Sequence, residues 1–385
     1  MKRIYFDSAA TSWPKPRQVV KAVSDSFGEY GGNPGRSAHS LSMNASLAVY
    51  GCRERVCSFV GCRDVENVVF TYNATYALNA AVKGLVSKGD HILFSNLEHN
   101  SVIRPIHALS LIPGMGVTYG VFDATGDDDE ILDSFSSMIL PQTRLAVITL
   151  ASNVCGRVLP VKAISEVCKL HGITLIADGA QGAGSIPVHL ERDGIDVLCL
   201  AGHKSLYGPQ GVGVIVFGRG ISPRAVIEGG NGVNSSSRLM DDSPLPERLE
   251  AGTLSVPCIR GLAAGIDYVD SVGADYIRER GLYLSNILVS GLSVIRGVSV
   301  YGDCTNRTPC ICFNKAGISS EKMAQYLAEN NVCVRSGFHC APIAHKALGT
   351  GEYGAVRVSM SFGNTKKETD TLLSLVSKAQ AVHSA

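Results

Sequence analysis

The stretch Ala201-Gly202-His203-Lys204-Ser205-Leu206-Tyr207-Gly208-Pro209-Gln210-Gly211 follows directly on the largely apolar run at residues 195–200. Upstream, Asp178 closes a second apolar run, residues 173–177, within Ala177-Asp178-Gly179-Ala180-Gln181. Short β-branched runs bounded by Gly and polar residues predict buried strands. A lysine and an aspartate at the carboxyl ends of two such strands can serve one aromatic cofactor. The amine forms a Schiff base with pyridoxal phosphate, and the carboxylate keeps the ring nitrogen protonated so that the ring becomes an electron sink. Either residue alone reads equally as a solvated loop side chain. The pairing favours the cofactor, because His203 stands beside the lysine and Gln181 follows the aspartate.

Outward from these two strands, an alternating pattern runs from about residue 16 to 260. Predicted helices at 17–30, 45–60, 75–86 and 161–171 alternate with β-rich runs at 67–71, 91–95, 116–121, 144–150, 173–177, 197–200 and 212–217. Strands separated by helix-length segments predict a mostly parallel sheet with helices on both faces. Ligands of such sheets bind beyond the carboxyl ends of the strands. Asn73, His99, Asn153, Asp178 and Lys204 all fall at or just after a predicted strand end. Residues 228–253, rich in Gly, Asn, Ser and Pro (Gly229 to Gly232, Ser235 to Ser237), read as a long irregular segment, either functional or mobile. Beyond about 260–270 the pattern changes to an α+β unit. Its helices are expected at 259–272, 275–292, 320–330 and from 366, and its strands at 298–301, 308–314, 332–335 and 355–359. The expected division is a large domain over residues 16–262 and a small domain formed by 1–15 and 263–385.

The chain has 385 residues, 45% hydrophobic and 18% charged, with a net charge of +1. That is enough apolar chain for a sizeable core. The balance carries no nucleic-acid footprint and no polybasic membrane anchor. With no signal-length apolar stretch before Asp7 and no membrane-length run, the chain reads as soluble and cytoplasmic. Twelve cysteines are scattered along it. Cys57, Cys168, Cys199 and Cys312 lie in apolar contexts and read as buried free thiols. No disulfide framework is expected. Cys310 and Cys312 share a strand face, yet with Cys304 or Cys333 they lack zinc spacing, so no metal is expected.

Three further stretches carry candidate chemistry. Tyr72-Asn73-Ala74-Thr75 joins a strand to a helix, where backbone N–H groups and the Thr75 hydroxyl suit a phosphate; Thr also caps helices routinely. His99, in Glu98-His99-Asn100-Ser101, can stack on a flat ring or stand at the surface. Cys340 lies in Val334-Arg335-Ser336-Gly337-Phe338-His339-Cys340-Ala341-Pro342. Flanking Arg335 and His339 favour a reactive thiolate, against a structural thiol. Arg357 is either a bidentate carboxylate clamp or an edge-strand charge.

Taken together, these motifs resemble the cysteine desulfurase and selenocysteine lyase branch of the class V aminotransferase-like, fold-type-I pyridoxal phosphate enzymes. The resemblance covers nearly the whole chain. It begins at Tyr5-Phe6-Asp7-Ser8-Ala9-Ala10-Thr11 and Asn33-Pro34-Gly35-Arg36-Ser37-Ala38-His39, runs through the stretches quoted above and Ser152-Asn153-Val154, and closes with Ala251-Gly252-Thr253, the 335–340 loop and Arg357. It implies an α/β large domain with a mostly parallel seven-stranded sheet flanked by helices, plus a smaller α+β carboxyl-terminal domain. It implies Lys204 as the Schiff-base lysine and proton carrier, Asp178 on the ring nitrogen, Gln181 on the ring hydroxyl and His99 stacked on the ring. Ala74, Thr75 and His203 would hold the phosphate, and Thr253 the phosphate of a neighbouring subunit's cofactor in a homodimer. Ala10, Asn153, Arg335 and Arg357 would hold substrate, and Cys340 would accept sulfur.

The implied activity converts L-cysteine to L-alanine and leaves a persulfide on Cys340, for a sulfur-acceptor protein such as one in iron–sulfur cluster assembly. Selenocysteine lyase or another thiol amino acid β-lyase is the first alternative. A transaminase or epimerase, and a sulfur-relay scaffold without turnover, are the others. Two departures from the family pattern stand out. Ala74 and Ala201 replace hydroxyl residues, which removes phosphate contacts worth about 1 kcal/mol each. Phe338 replaces a second histidine, which makes the pocket drier.

Overall fold

The computed structural model describes residues 3–35, 37–232, 243–302 and 305–380. Arg36, Ser235 to Ser237 and Cys304, singled out in the sequence, lie outside these residues. The first elements are β1 (Ile4–Tyr5), α1 (Arg17–Glu29), α2 (Ser40–Val60), β2 (Val68–Thr71), α3 (Ala74–Leu85), β3 (His91–Ser95), α4 (Asn100–Ser110), β4 (Thr118–Phe122) and α5 (Asp128–Ser137). Then come β5 (Thr143–Thr149), α6 (Val161–His171), β6 (Thr174–Asp178), β7 (Val197–Ala201), β8 (Gly213–Phe217), α7 (Val256–Val272) and α8 (Ala274–Ser293). The chain continues with β9 (Val298–Tyr301), β10 (Cys310–Lys315), α9 (Ser320–Glu329), β11 (Val332–Cys333), α10 (Pro342–Ala347), β12 (Val356–Ser359) and α11 (Lys366–Lys378).

Seven strands form one sheet in the order β2-β8-β7-β6-β5-β3-β4. β8 runs antiparallel to both its neighbours and the other pairings are parallel. The expected mostly parallel α/β sheet is therefore present. Every residue of β2, β3, β7 and β8 is buried, as strands covered on both faces require. One face packs beneath α2 and α7 (Val49, Val56, Ile259, Leu262). Another part of the core gathers α3 and α4 (Leu78, Val82, Val102, Ile106).

A three-stranded antiparallel sheet, β12-β10-β9, forms a second layer. Its core draws on α8, α9 and α11 (Leu288, Leu327, Leu372) together with Phe6 from the amino terminus. β1 pairs in parallel with β11, so the first residues of the chain close onto the last third of it. Position 262 falls within α7, and the domain division drawn from sequence stands as an organising proposal.

Three helices had no counterpart in the sequence pattern: α4, α5 and the six-residue α10, which starts on Pro342. α4 carries Pro105 in its interior, where a ring normally removes a hydrogen bond and breaks the helix. Burial of Val102, Pro105, Ile106 and Leu109 outweighs that loss. α5 is short and acidic, and a capping box between Asp127 and Glu130 starts it. The reading of Cys57 as a free thiol is corrected: it forms a disulfide with Cys62, with Cα atoms 4.8 Å apart. The cause is local. α2 ends at Gly61 in the left-handed conformation, which turns Cys62 back onto the last turn of the helix.

Candidate active site

Five polar residues sit at the carboxyl edge of the large sheet because each follows a strand. Asn73 follows β2 and caps α3, its Oδ1 accepting from the Tyr76 N–H at 2.9 Å. His99 follows β3 and caps α4, Asn153 follows β5, Asp178 ends β6, and Lys204 follows β7. Asp178 and Lys204 line a single cleft of about 480 Å³. Ala74, Thr75, His99, Asn153, Gln181 and His203 line it too. Lysine and aspartate thus face one cavity.

Lys204 stands on a loop that closes on itself. Gly208 N–H donates to the Gly202 carbonyl (2.8 Å) and Tyr207 N–H to the Lys204 carbonyl (2.9 Å). An amino-terminal strap locks the loop from outside. The His203 carbonyl accepts from Ser12 N–H (3.1 Å), Thr11 Oγ1 (3.1 Å) and Lys15 Nζ (2.8 Å). Burial lowers the Lys204 amine to about 8; Asp178 opposes the shift, and Arg357 and Arg335 reinforce it. Burial also raises the Asp178 carboxyl, with Lys204 and the Ala180 N–H pulling the other way. A cationic N–H facing the Asp178 carboxylate would relieve that penalty.

His99 is pushed down to about 4 by burial, with Lys204, Arg335, Arg357 and Arg104 adding to it. Its Nδ1 accepts from the Ser101 N–H at 3.0 Å, so in the neutral ring the proton sits on Nε2. Ser101 Oγ lies 2.8 Å from the same Nδ1 and 2.7 Å from Thr75 Oγ1. A line of hydroxyls thus joins the start of α3 to the imidazole. Sequence reading gave Ser101 no role; its position in the first turn after the His99 cap was the available signal. His203, also lowered to about 4 by burial, has a buried Nδ1 without a hydrogen-bond partner. An orphaned imidazole nitrogen beside a helix start and a Thr hydroxyl suits a phosphate, to which it donates in the tautomer that carries its proton there. Gln181 Nε2 donates to the Ala9 carbonyl at 2.9 Å, which orients its amide and ties in the turn that carries Ala10.

The thiol loop packs across the cleft wall. Cys340 is exposed, and its carbonyl accepts from Asn100 N–H at 2.7 Å. The preceding His339 carbonyl accepts from Asn153 Nδ2 at 2.8 Å. Arg335 Nη2 lies 3.8 Å from the Cys340 sulfur. Arg357 is almost fully buried. Its Nη2 pairs with Asp7 (2.8 Å) and its Nη1 donates to the Asn153 carbonyl (3.0 Å), while Nε has no partner. Sequence reading passed over Asp7, whose partner is 350 positions away.

Thr253 is not brought into this cleft. It lines a separate pocket of about 420 Å³ with Tyr72, Glu250 and Ser255. Among the described residues no His, Cys, Asp and Glu cluster fits a metal, and no helix is long and apolar enough to cross a membrane.

A model of the family Aminotransferase class-V matches residues 4–372. The chain is 33% identical to a probable cysteine desulfurase of Methanothermobacter thermautotrophicus, covering 96% of this chain and 92% of the relative. It is 30% identical to one of Halalkalibacterium halodurans, covering 96% and 91%. An apo structure of cysteine desulfurase from Thermococcus onnurineus NA1 superposes with a TM-score of 0.89 at 30% identity, covering 98% of this chain and 94% of that one. The cysteine desulfurase CsdA of Escherichia coli, in an S-sulfonic acid form, gives 0.86 at 26%, covering 97% and 94%.

Proposed function

This chain belongs to the aminotransferase class-V family, and from that premise we propose that it is a pyridoxal-phosphate-dependent cysteine desulfurase. It takes sulfur from L-cysteine, releases L-alanine and carries the sulfur as a persulfide on Cys340. One observation carries the reading: a lysine amine and an aspartate carboxyl line the same cleft, and an exposed thiol stands on a loop held to its wall by Asn100 and Asn153.

The cofactor fits the residues present. Asp178 would meet the ring nitrogen, Gln181 the ring hydroxyl, and His99 the ring face. Thr75, Ser101, His203 and the backbone at Ala74 would hold the phosphate. When bound, it supplies an electron sink conjugated to the substrate's α-carbon. Lys204, with its amine lowered to about 8, is neutral in roughly a tenth of molecules at pH 7, far more than an ordinary lysine, and takes the α-proton on Nζ. His99 keeps its proton on Nε2. Arg357 and Arg335 attract the substrate carboxylate, and the second N–H of the Asn153 amide is available to it. The Cys340 thiolate attacks the substrate sulfur. The carbon–sulfur bond breaks, a sulfur–sulfur bond forms on Cys340, and the electron pair stays with the carbon skeleton, which is protonated and leaves as alanine.

Thr253 stands outside the cleft, as a residue serving a neighbouring subunit's cofactor would, and we propose a homodimer on that ground. Val20 and Phe27 on α1 and Leu47 and Tyr50 on α2 are exposed apolar side chains that support such a contact. An external protein would accept the sulfur. Incubation of the cofactor-loaded protein with cysteine should add one sulfur to Cys340, read by intact mass, with matching alanine. Cys340→Ser should keep the visible absorbance and lose alanine production; alanine release at the parent rate would overturn the thiol's role. Selenocysteine as substrate in the same variant separates the selenocysteine lyase alternative.

A further inference from the structure

The loop that carries the thiol is held in an unfavourable backbone conformation. His339 (φ 49°) and Cys340 (φ 56°) are consecutive non-glycine residues in the left-handed region. Such residues persist only where their surroundings over-determine them. The two carbonyls are held by Asn153 and Asn100, as described above. The side chain of His339 is held by a separate device.

His339 Nε2 lies 3.3 Å from the Arg335 carbonyl, and its Nδ1 lies 2.9 Å from His345 Nε2. His345 Nδ1 lies 2.8 Å from Thr350 Oγ1. Both imidazoles are buried and stacked, with centroids 5.1 Å apart. With both rings neutral, only one arrangement of protons satisfies all three contacts. The Arg335 carbonyl can only accept, so His339 carries its proton on Nε2 and accepts on Nδ1. His345 must then donate from Nε2 and accept on Nδ1 from the Thr350 hydroxyl. That hydroxyl is also 3.3 Å from the His345 carbonyl, and the nearer nitrogen takes its hydrogen. A second proton on either ring is disfavoured by burial and by the nearby Arg357. Neither His345 nor Thr350 lines the Lys204 cleft.

We propose that His345, acting through His339 and anchored by Thr350, is a positioning residue that holds the Cys340 thiol where it meets the substrate sulfur. The inference rests on the reading of Cys340 as the sulfur acceptor. The wire gives the loop a single register without touching cofactor or substrate.

The test compares His345→Leu, which removes the donor to His339, with His345→Gln, whose amide restores it. Thr350→Val cuts the distal end with little change in volume. In cofactor-loaded protein, His345→Leu should keep the visible absorbance and a KM for cysteine within about twofold. Its kcat, and the first-turnover rate of sulfur gain on Cys340, should fall about tenfold to a hundredfold. His345→Gln should recover most of that loss, and Thr350→Val should lose part of it at constant KM. Parent kcat in His345→Leu overturns the proposal, and so does a glutamine variant no better than the leucine one. If the leucine variant does not fold, parent kcat in Thr350→Val overturns it instead. Alanine release by Cys340→Ser at the parent rate would mark failure of the thiol reading; its loss beside an active His345→Leu would mark failure of the wire alone.

Discussion

At Lys204 the chemistry depends on a charge that the fold makes expensive. The amine is lowered to about 8 by burial and by Arg335 and Arg357, against the pull of Asp178. Lys204→Ala should remove the visible absorbance of the reconstituted protein and all turnover, checked by spectrum and alanine assay. His345 has a different pH signature. Its imidazole is lowered from 6.5 to about 4 by burial, so the unfolded chain binds its proton first. Stability from keeping it neutral is full above 6.5 and is lost as the pH falls towards 4. His345→Gln should therefore lie closest to the parent at low pH. The gap in unfolding free energy should narrow by roughly 1–2 kcal/mol between pH 7 and pH 5 in urea titrations; a pH-independent gap would contradict the buried neutral ring.

At the scale of elements, the thiol loop is shaped by close approach to the strand that follows it. Gly354 has φ 64°, and a Cβ there would lie 2.2 Å from the Gly337 carbonyl oxygen. Gly351 has φ 82° but open space around it. Gly354→Ala should thus cost about 1–3 kcal/mol from overpacking beyond the strain the two sites share, and should slow sulfur gain on Cys340. Gly351→Ala should show the strain alone. Denaturant titration of both variants separates the two effects, and equal losses would rule out the close approach. The elements that sequence periodicity missed have related causes. α4 hides behind Pro105, and α5 offers only one turn of apolar stripe, Ile131 and Phe135, among acids and serines; one depends on packing and the other also on capping.

At the scale of the whole molecule, distant segments are tied by charges buried between them. Arg53 of α2 and Glu250 are both largely buried and form a paired contact, with Arg53 Nη1 at 2.8 Å from Glu250 Oε1. Glu250 Oε1 also accepts the Phe70 N–H at 2.6 Å. The pair fixes the approach to Thr253, three residues on. Arg53→Met or Glu250→Leu alone should cost about 3–5 kcal/mol by leaving a buried charge unpaired, and the double variant should cost less than the sum. Additive losses in a double-mutant cycle would refute the coupling.

Period and turn chemistry are local, so the strands of the large sheet, their ends and the residues placed there could be read along the chain, while the strand order could not. Asn73, His99, Asn153, Asp178 and Lys204 were legible for that reason. Tertiary structure alone decided which of them share a cleft and what holds them. Asp7 on Arg357, Lys15 on the His203 carbonyl, Ser101 between Thr75 and His99, and the His339–His345–Thr350 wire depend on orientation or on contacts between segments far apart in the chain. Buried polar atoms must find partners wherever the fold offers them, and no pattern along the chain encodes where that will be.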